Sequence, residues 1–349
     1  MNTFVRHGLG IVLLVLFTAA APRAEIIRDL YSAEVPVADQ SPAQLASASR
    51  AALETVFVKV SGSAGVLRNP AIVAALPGAR QHVQQYSYSK DPAVPGALKV
   101  QMLFDQGYVT RLMIEAGAPV WTANRPAVLV WLVRQDAAGG QFVSAETDPA
   151  LVAELRREFS RRGVPLQLPL YDLADTAALS VEQALNLDGA ALKQASARYQ
   201  LQNVLVGVFA LQADGRVAGK WNYFSDSDQS QRSATTESEA LFLREGVGLV
   251  AEAMAARYAV AASAQDVGLA MSVTGVTSYA DYAAVVSWLE SLELVDRADV
   301  ASVQGDSILV RLQAKAAPDQ LATVIELNKR LVPMPVTGAG TDLNYLWQK

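Results

Sequence analysis

The chain has 349 residues, 51% of them hydrophobic, and a formal net charge of −5. This composition is typical of a globular protein with a substantial core and excludes an intrinsically disordered chain. Nucleic-acid binding needs a basic surface, so the acidic balance predicts no nucleic-acid partner.

Cysteine is absent and histidine nearly so. With no cysteine and only His7 and His82, the chain has no thiol nucleophile, disulfide or cysteine-ligated metal. A histidine-based triad or metal centre would depend on His82 once the leader is removed. We therefore expect no cofactor and no metal, and we find no catalytic residue to assign. A carboxylate pair would still allow acid–base chemistry without histidine.

The first 24 residues have the pattern of a secretory signal peptide. Arg6 supplies a positive charge, an apolar run extends from Leu9 to Ala21, and small residues follow as far as Ala24. The run is shorter than the roughly 20 apolar residues that span a bilayer. We expect residues 1–24 to direct export to a bacterial periplasm, with no transmembrane segment after cleavage.

The segment 25–120 has the pattern of an α+β domain. It is expected to contain a strand over residues 30–37 and a helix that starts at a capping box formed by Ser41 and Gln44. The β-branched run 56–60 is expected to pass from this helix into a strand that ends at Gly62. Strands over residues 82–88 and 98–104 and a helix over residues 108–115 complete a strand–helix–strand–strand–helix order.

The segment 125–261 has the pattern of a central α/β domain. The continuous apolar run 127–133 indicates a strand buried on both faces. Asp148 is expected to cap a helix that ends at Gly163 and turns Arg156, Arg157, Glu158, Arg161 and Arg162 to solvent. A strand pair over residues 204–210 and 216–224 is expected to precede a final helix capped by Thr236 and Glu239.

The segment 266–349 is expected to form a ferredoxin-like βαββα(β) domain. Strands are predicted over residues 268–276, 300–303 and 307–312, and helices begin at Ser278 and Pro318. The fold class predicted for the whole chain is therefore multidomain α+β and α/β, with the central sheet domain flanked by two smaller domains. The first segment has a similar element order, which allows a distant internal repeat.

Short motifs along the mature chain resemble the DUF2066 proteins of gamma-proteobacteria. This resemblance implies an exported envelope protein, but it implies no reaction and no assigned functional residues. Its main motifs are Val35-Pro36-Val37-Ala38-Asp39-Gln40-Ser41, Val60-Ser61-Gly62, Val83-Gln84-Gln85-Tyr86, Arg162-Gly163-Val164-Pro165-Leu166, Ala195-Ser196-Ala197-Arg198-Tyr199 and Ser278-Tyr279-Ala280-Asp281-Tyr282.

Two features are candidates for ligand or partner binding. Arg162, Tyr171, Asp172 and Asp175 lie where the strands of a parallel sheet end, which is the usual ligand position in open α/β sheets. A rigid structural connection explains the same residues. Trp221 offers an aromatic face for a partner, although a buried tryptophan would simply fill the core.

These observations predict a non-enzymatic periplasmic envelope protein, a protein- or cell-wall-binding or scaffolding module with an envelope partner. The alternative is a periplasmic small-ligand binder or carboxylate-dependent enzyme that uses a crevice near Arg162–Asp175. A deep polar pocket would favour the alternative, whereas an exposed apolar patch would favour a binding module.

Overall fold

The computed structural model describes residues 25–90, 96–137, 139–226, 228–263, 267–327, 329–335 and 340–348. The expected signal peptide over residues 1–24 lies outside this part of the chain. Within it, the protein is mixed α/β, with several sheets and a layered, multidomain-like arrangement. No helix among the described residues is long and apolar enough to cross a bilayer.

The first segment forms a three-stranded antiparallel sheet in the order β2-β4-β3, covered on one face by helices. A short strand, β1, instead pairs with β5 of the next segment. Its elements are β1 (Glu25–Ile26), β2 (Ser32–Val37), α1 (Pro42–Ser61), α2 (Pro70–Ala75), β3 (Val83–Lys90), β4 (Leu98–Phe104) and α3 (Gln106–Glu115).

The prediction of a strand over residues 56–60 is wrong, because helix α1 continues through them to Ser61. Ala52, Val56 and Val60 recur every four residues and are all fully buried, so core packing outweighs the β-propensity of valine. Gly62 then ends the helix, with a φ of 74° and its N–H bonded to the carbonyl oxygen of Val58.

The start of α1 is capped as expected, but without the reciprocal bond of a capping box. The Ser41 hydroxyl accepts the Gln44 N–H at 3.4 Å, whereas the Ser41 N–H donates to Asp39 Oδ1 at 2.8 Å. The Ser41 N–H is therefore bonded to the Asp39 carboxylate in an Asx turn, and not to the Gln44 side chain as in a capping box.

The second segment forms a sheet in the order β11-β10-β9-β6-β7, and β8 also pairs with β6. Strand β6 runs parallel to β8 and β9, whereas β9, β10 and β11 form antiparallel pairs. The elements are β5 (Asn124–Arg125), β6 (Val128–Gln135), β7 (Gln141–Phe142), α4 (Pro149–Arg162), β8 (Leu166–Gln167), α5 (Leu173–Ala178), α6 (Val181–Leu185), α7 (Gly189–Ser196), β9 (Asn203–Leu211), β10 (Val217–Phe224), β11 (Gln229–Thr236) and α8 (Glu239–Tyr258).

Helices cover both faces of this sheet. Val128, Val130 and Leu132 of β6 pack with α4 and α8, while Leu129 and Trp131 pack with α5, α6 and α7. The continuous apolar run of β6 follows from this double burial.

Two predictions about the helices α4 and α8 are wrong. Glu158 is 3% exposed, not on the solvent face of α4, and its carboxylate bonds to Arg161 and Arg244 at 2.8 and 3.3 Å. Helix α8 is capped by the hydroxyl of Ser238 and not by Thr236, since Thr236 is still part of strand β11.

The third segment forms a sheet in the order β13-β14-β12-β16-β15. Its first three strands share the order and antiparallel pairing of the first sheet, with the third strand of each unit in the centre. Strand β16, however, runs parallel to β12, whereas the final strand of a ferredoxin-like unit runs antiparallel to the first. Strand β15 has that antiparallel direction, but it pairs with β16 and not with β12. The elements are β12 (Val267–Thr274), α9 (Tyr279–Glu290), β13 (Val295–Gln304), β14 (Ser307–Ala314), α10 (Pro318–Glu326), β15 (Leu331–Pro333) and β16 (Leu343–Trp347).

Arg125 links the segments at their junction. Its guanidinium is fully buried, lies 4.0 Å from the Trp121 ring and donates to the carbonyl oxygens of Lys59, Trp121 and Gly163 at 2.7–2.8 Å. It therefore satisfies carbonyls at the ends of both α1 and α4. The apolar cores of the first and third segments also form one continuous cluster.

Candidate functional site

The five predicted site residues do not form one crevice. Trp221 is fully buried, and its indole N–H donates to the carbonyl oxygen of Phe242 at 3.0 Å. Arg162 ends helix α4 and donates to the carbonyl oxygen of Gly62 at 3.2 Å. Both lie on the α4–α8 side of the central sheet, whereas Tyr171, Asp172 and Asp175 meet on the opposite side.

Asp172 caps helix α5 and forms a two-pronged ion pair. One carboxylate oxygen accepts the backbone N–H of Asp175 at 3.0 Å, and the two oxygens accept bonds from Arg198 at 2.6 and 2.9 Å. The hydrogen bond from Arg198 is the main cause that lowers the pKa of Asp172 to about 2. The carboxylate is therefore held ionised and occupied.

Asp175 lies beneath this ion pair and is only 1% exposed. Its Oδ1 accepts a bond from Arg198 at 2.9 Å, and its Oδ2 accepts the Tyr199 hydroxyl at 2.5 Å and the Tyr171 N–H at 2.8 Å. Burial, assisted by the bond to Asp175, raises the pKa of Tyr199 to about 12. Each oxygen of the buried carboxylate is thus matched to a donor.

Tyr171 adopts a left-handed backbone conformation, with a φ of 53°. A non-glycine residue keeps this conformation only where its surroundings hold it. Here its N–H is bonded to Asp175, and its ring lies 5.7 Å from Trp131 and 5.4 Å from Phe142. The backbone is held in the same way on the preceding residue, because the Tyr199 hydroxyl accepts the Leu170 N–H at 2.8 Å.

This pinned backbone, which we call the 170–173 turn (residues 170–173), holds two leucines in solvent. Leu170 is 67% exposed and Leu173 is 86% exposed. The two leucines are three positions apart in the chain, so their Cα atoms are at most about 11 Å apart. One partner surface can therefore contact both. A turn with a buried tyrosine, a fixed ion pair and two exposed leucines is suited to present apolar side chains to another molecule.

The geometry gives little support for acid–base chemistry at this position. Asp172 and Asp175 both accept hydrogen bonds from Arg198, so both carboxylates are occupied by a partner inside the protein. Other residues line the clefts found in the described part of the chain, among them one of about 620 Å³ beside β2, α1 and α4. That part contains no group of three side chains placed to hold a metal ion.

Sequence reasoning missed the partners that complete this site. Arg198 and Tyr199 lie more than twenty residues from the acids they contact, and no local pattern indicates that distance. Leu170 and Leu173 carried a usable signal, since they are large apolar residues in a proline-containing stretch between predicted elements.

Comparison with known proteins corrects the suspected family. Nothing supports the resemblance to DUF2066 proteins. Several of the motifs behind it contain residues that start or end helices, such as Gly62, Gly163 and Ser278, and such residues recur in unrelated proteins. No curated protein matches the chain. A model of a different family, a domain of unknown function (DUF8605), matches residues 24–122.

Proposed function

We propose that this chain is an exported, non-enzymatic envelope protein that binds another protein, with the 170–173 turn as its docking element. The observation that carries the proposal is the exposure of Leu170 and Leu173 on a backbone fixed by Asp175, Tyr199 and Arg198. A rigid turn loses little conformational entropy on binding, which favours affinity.

A protein partner fits this surface better than a cell-wall glycan does. Leucine side chains gain free energy by entering an apolar groove, about 1.5–3 kcal/mol for each one fully buried. The hydroxyls of a sugar instead need hydrogen-bond partners, and the C–H faces of its ring stack on flat aromatic side chains. Asp172 and Arg198 are already bonded to each other, and Trp221 is buried. The small-ligand or carboxylate-enzyme alternative has less support, because Arg198 occupies both acids.

The domain plan belongs to the same proposal. We infer units over residues 25–120, 125–261 and 266–349, with the central α/β sheet as the scaffold that carries the docking turn. Each unit has its own sheet, which supports the division, while the buried Arg125 and the shared apolar cluster tie the units together.

Periplasmic location rests on the residue pattern of positions 1–24. Expressed from its full sequence in a bacterial host, the protein should be recovered from the periplasmic fraction, and mass spectrometry should find it shortened by about two dozen residues. Recovery of the full-length chain from the cytoplasm would contradict export.

Site-specific photo-crosslinking tests the docking turn. A photoreactive amino acid at position 173 should give a discrete adduct with one envelope protein in intact cells. The same probe at position 303 on strand β13, where Val303 is 62% exposed, serves as the matched exposed control and should not give that adduct. Equal labelling from both positions, or an adduct with cell-wall fragments alone, would refute a protein-docking role for the turn.

A further inference from the structure

The two edges of the first sheet differ in how they are protected. On β2, the backbone groups of Ser32, Glu34 and Pro36 face away from β4, because Tyr31 bonds towards β4 and the direction alternates along a strand. Lys59 Nζ already donates to the Ser32 carbonyl oxygen at 2.9 Å, and Pro36 has no N–H. The β2 edge therefore offers little to a pairing strand.

Among the residues that the structure describes, none protects the β3 edge in a comparable way. The Phe104 N–H donates to Tyr31, so by alternation Met102 and Val100 of β4 also bond towards β2. Gln101 and Lys99 then bond towards their β3 partners Ser87 and Ser89. The N–H and C=O groups of Tyr86 and Tyr88 therefore point to the open edge. Between the register shift after Val83 and the final Lys90, the strand contains neither proline nor a charged residue. Edges of this kind are templates for another strand.

We propose that β3 pairs antiparallel with β3 of a second copy of this chain, about a two-fold axis at Ser87. In this register Tyr86 of each copy lies opposite Tyr88 of the other, and each such pair exchanges two backbone hydrogen bonds. Aromatic cross-strand pairs of this kind stabilise a sheet. The two three-stranded sheets become one continuous sheet, and the β3 edge of each copy is covered by the other.

Charge complementarity fixes this register. With Ser87 on the axis, the exposed Lys90 of one copy lies beside Gln84 of the other. Gln84 donates to Asp105 at 2.8 Å, so the lysine approaches a carboxylate at each end of the paired strands. The exposed Ser87 side chain of one copy faces Ser87 of the other. The two residues form a non-hydrogen-bonded pair, with Cα atoms about 4.5 Å apart.

The absence of native cysteine makes a crosslinking test clean. Under mild oxidation Ser87→Cys should form an intermolecular disulfide in high yield, since the expected Cα distance suits a disulfide. Ser89→Cys is the matched control on the same strand and face. Its two copies would lie about 13 Å apart in the proposed register, so it should crosslink poorly.

Sedimentation of the mature protein provides the second readout. The wild-type protein should associate to a dimer. Ser87→Lys should weaken association about fivefold or more, because it places like charges directly opposite each other, whereas Ser89→Lys should leave it nearly unchanged. Circular dichroism should show both variants folded, since both side chains are exposed. A monomeric wild type, equal weakening by both lysines, or equal crosslinking by both cysteines would overturn the proposal.

Discussion

Arg125 shows how one side chain can organise the meeting of several elements. Its guanidinium is fully buried and bonds to carbonyl oxygens of α1, the 121–124 connection and the α4 terminus. Burial lowers its pKa to about 9, and the attraction of Glu293 opposes that shift. Helix carbonyls carry partial negative charge, so the cation is stabilised mainly by dipoles.

Arg125→Met should therefore reduce the free energy of unfolding by about 3–5 kcal/mol, because it leaves several buried carbonyls without donors. Urea denaturation of the purified protein measures this loss. Arg156→Met, at an exposed position on α4, is the control and should change stability by no more than about 0.5 kcal/mol. Equal stability of the two variants would show that Arg125 is not the link we describe.

Asp172 gives the docking turn a defined acid sensitivity. Arg198 lowers its folded-state pKa from 3.8 to about 2, so the folded protein binds this proton less readily than the unfolded chain does. The ionised carboxylate thus stabilises the fold above about pH 4, and this contribution is lost as the pH falls to about 2.

Asp172→Asn should be less stable than the wild type at pH 7, and the difference should shrink between about pH 4 and pH 2. Unfolding measured across this range tests the prediction. Glu237→Gln, at an exposed acid outside the network, should show no such trend. A difference that is constant with pH would mean that the ion pair with Arg198 does not operate in solution.

At the scale of elements, helix α8 packs closely against Trp221. A Cβ atom at Gly246 would lie 2.2 Å from the Trp221 ring, whereas one at Gly248 would meet only the end of the Arg232 side chain, at 3.6 Å. Two glycines of one helix therefore have different roles. Gly246 allows Trp221 to pack against the backbone of α8, whereas Gly248 has room for a side chain.

Gly246→Ala should destabilise the protein by about 1–3 kcal/mol or more through overpacking. Gly248→Ala should instead stabilise it by up to about 1 kcal/mol, because alanine favours helix. Thermal unfolding of the two variants gives the comparison directly. If both substitutions shift stability in the same direction, the close packing of α8 on Trp221 is wrong.

The sequence predicted elements best where caps and glycines mark their ends. Helix α4 begins at Asp148 and ends at Gly163 as expected. Strand β11 was missed because its Gln, Ser and Thr residues show no apolar alternation. Glu158 was predicted to face solvent because it is charged. It lies seven residues after Leu151, however, and so falls on the buried stripe of the helix.

The candidate site was predictable only in its local part. Tyr171, Asp172 and Asp175 are close in sequence, and Asp175 is bonded to both of the others. Arg198 follows a separate helix, so its approach depends on how α5, α6 and α7 fold back on the sheet. Arg162 was grouped with these residues by its position in the chain, and Trp221 was a separate aromatic candidate. Both lie on the opposite side of the central sheet from Tyr171.

At the scale of the molecule, Glu293 connects the third segment to the junction. Its Oε1 accepts the Ala123 N–H at 3.1 Å. Burial raises its pKa above the ordinary value of 4.5, and attraction to Arg125 offsets part of that shift. A raised acid pKa means that the ionised form opposes folding at neutral pH, and that the cost disappears as the pH falls through the folded pKa to 4.5.

Glu293→Gln should accordingly be more stable than the wild type at pH 7, with the advantage gone below about pH 4.5. Chemical denaturation at several pH values provides the measurement. Glu290→Gln, at an exposed position on α9, should lack this pattern. A destabilised Glu293→Gln at neutral pH would show that the carboxylate charge is needed at the junction.

The central claim is that the 170–173 turn binds another protein, and its direct test is the affinity of that complex. The protein captured by photo-crosslinking from position 173 should bind the purified chain, and Leu170→Ser with Leu173→Ser should weaken binding about tenfold or more. Leu211→Ser, at a leucine that is 65% exposed on β9, should bind like the wild type. Unchanged affinity of the double variant, with the fold intact, would contradict the account.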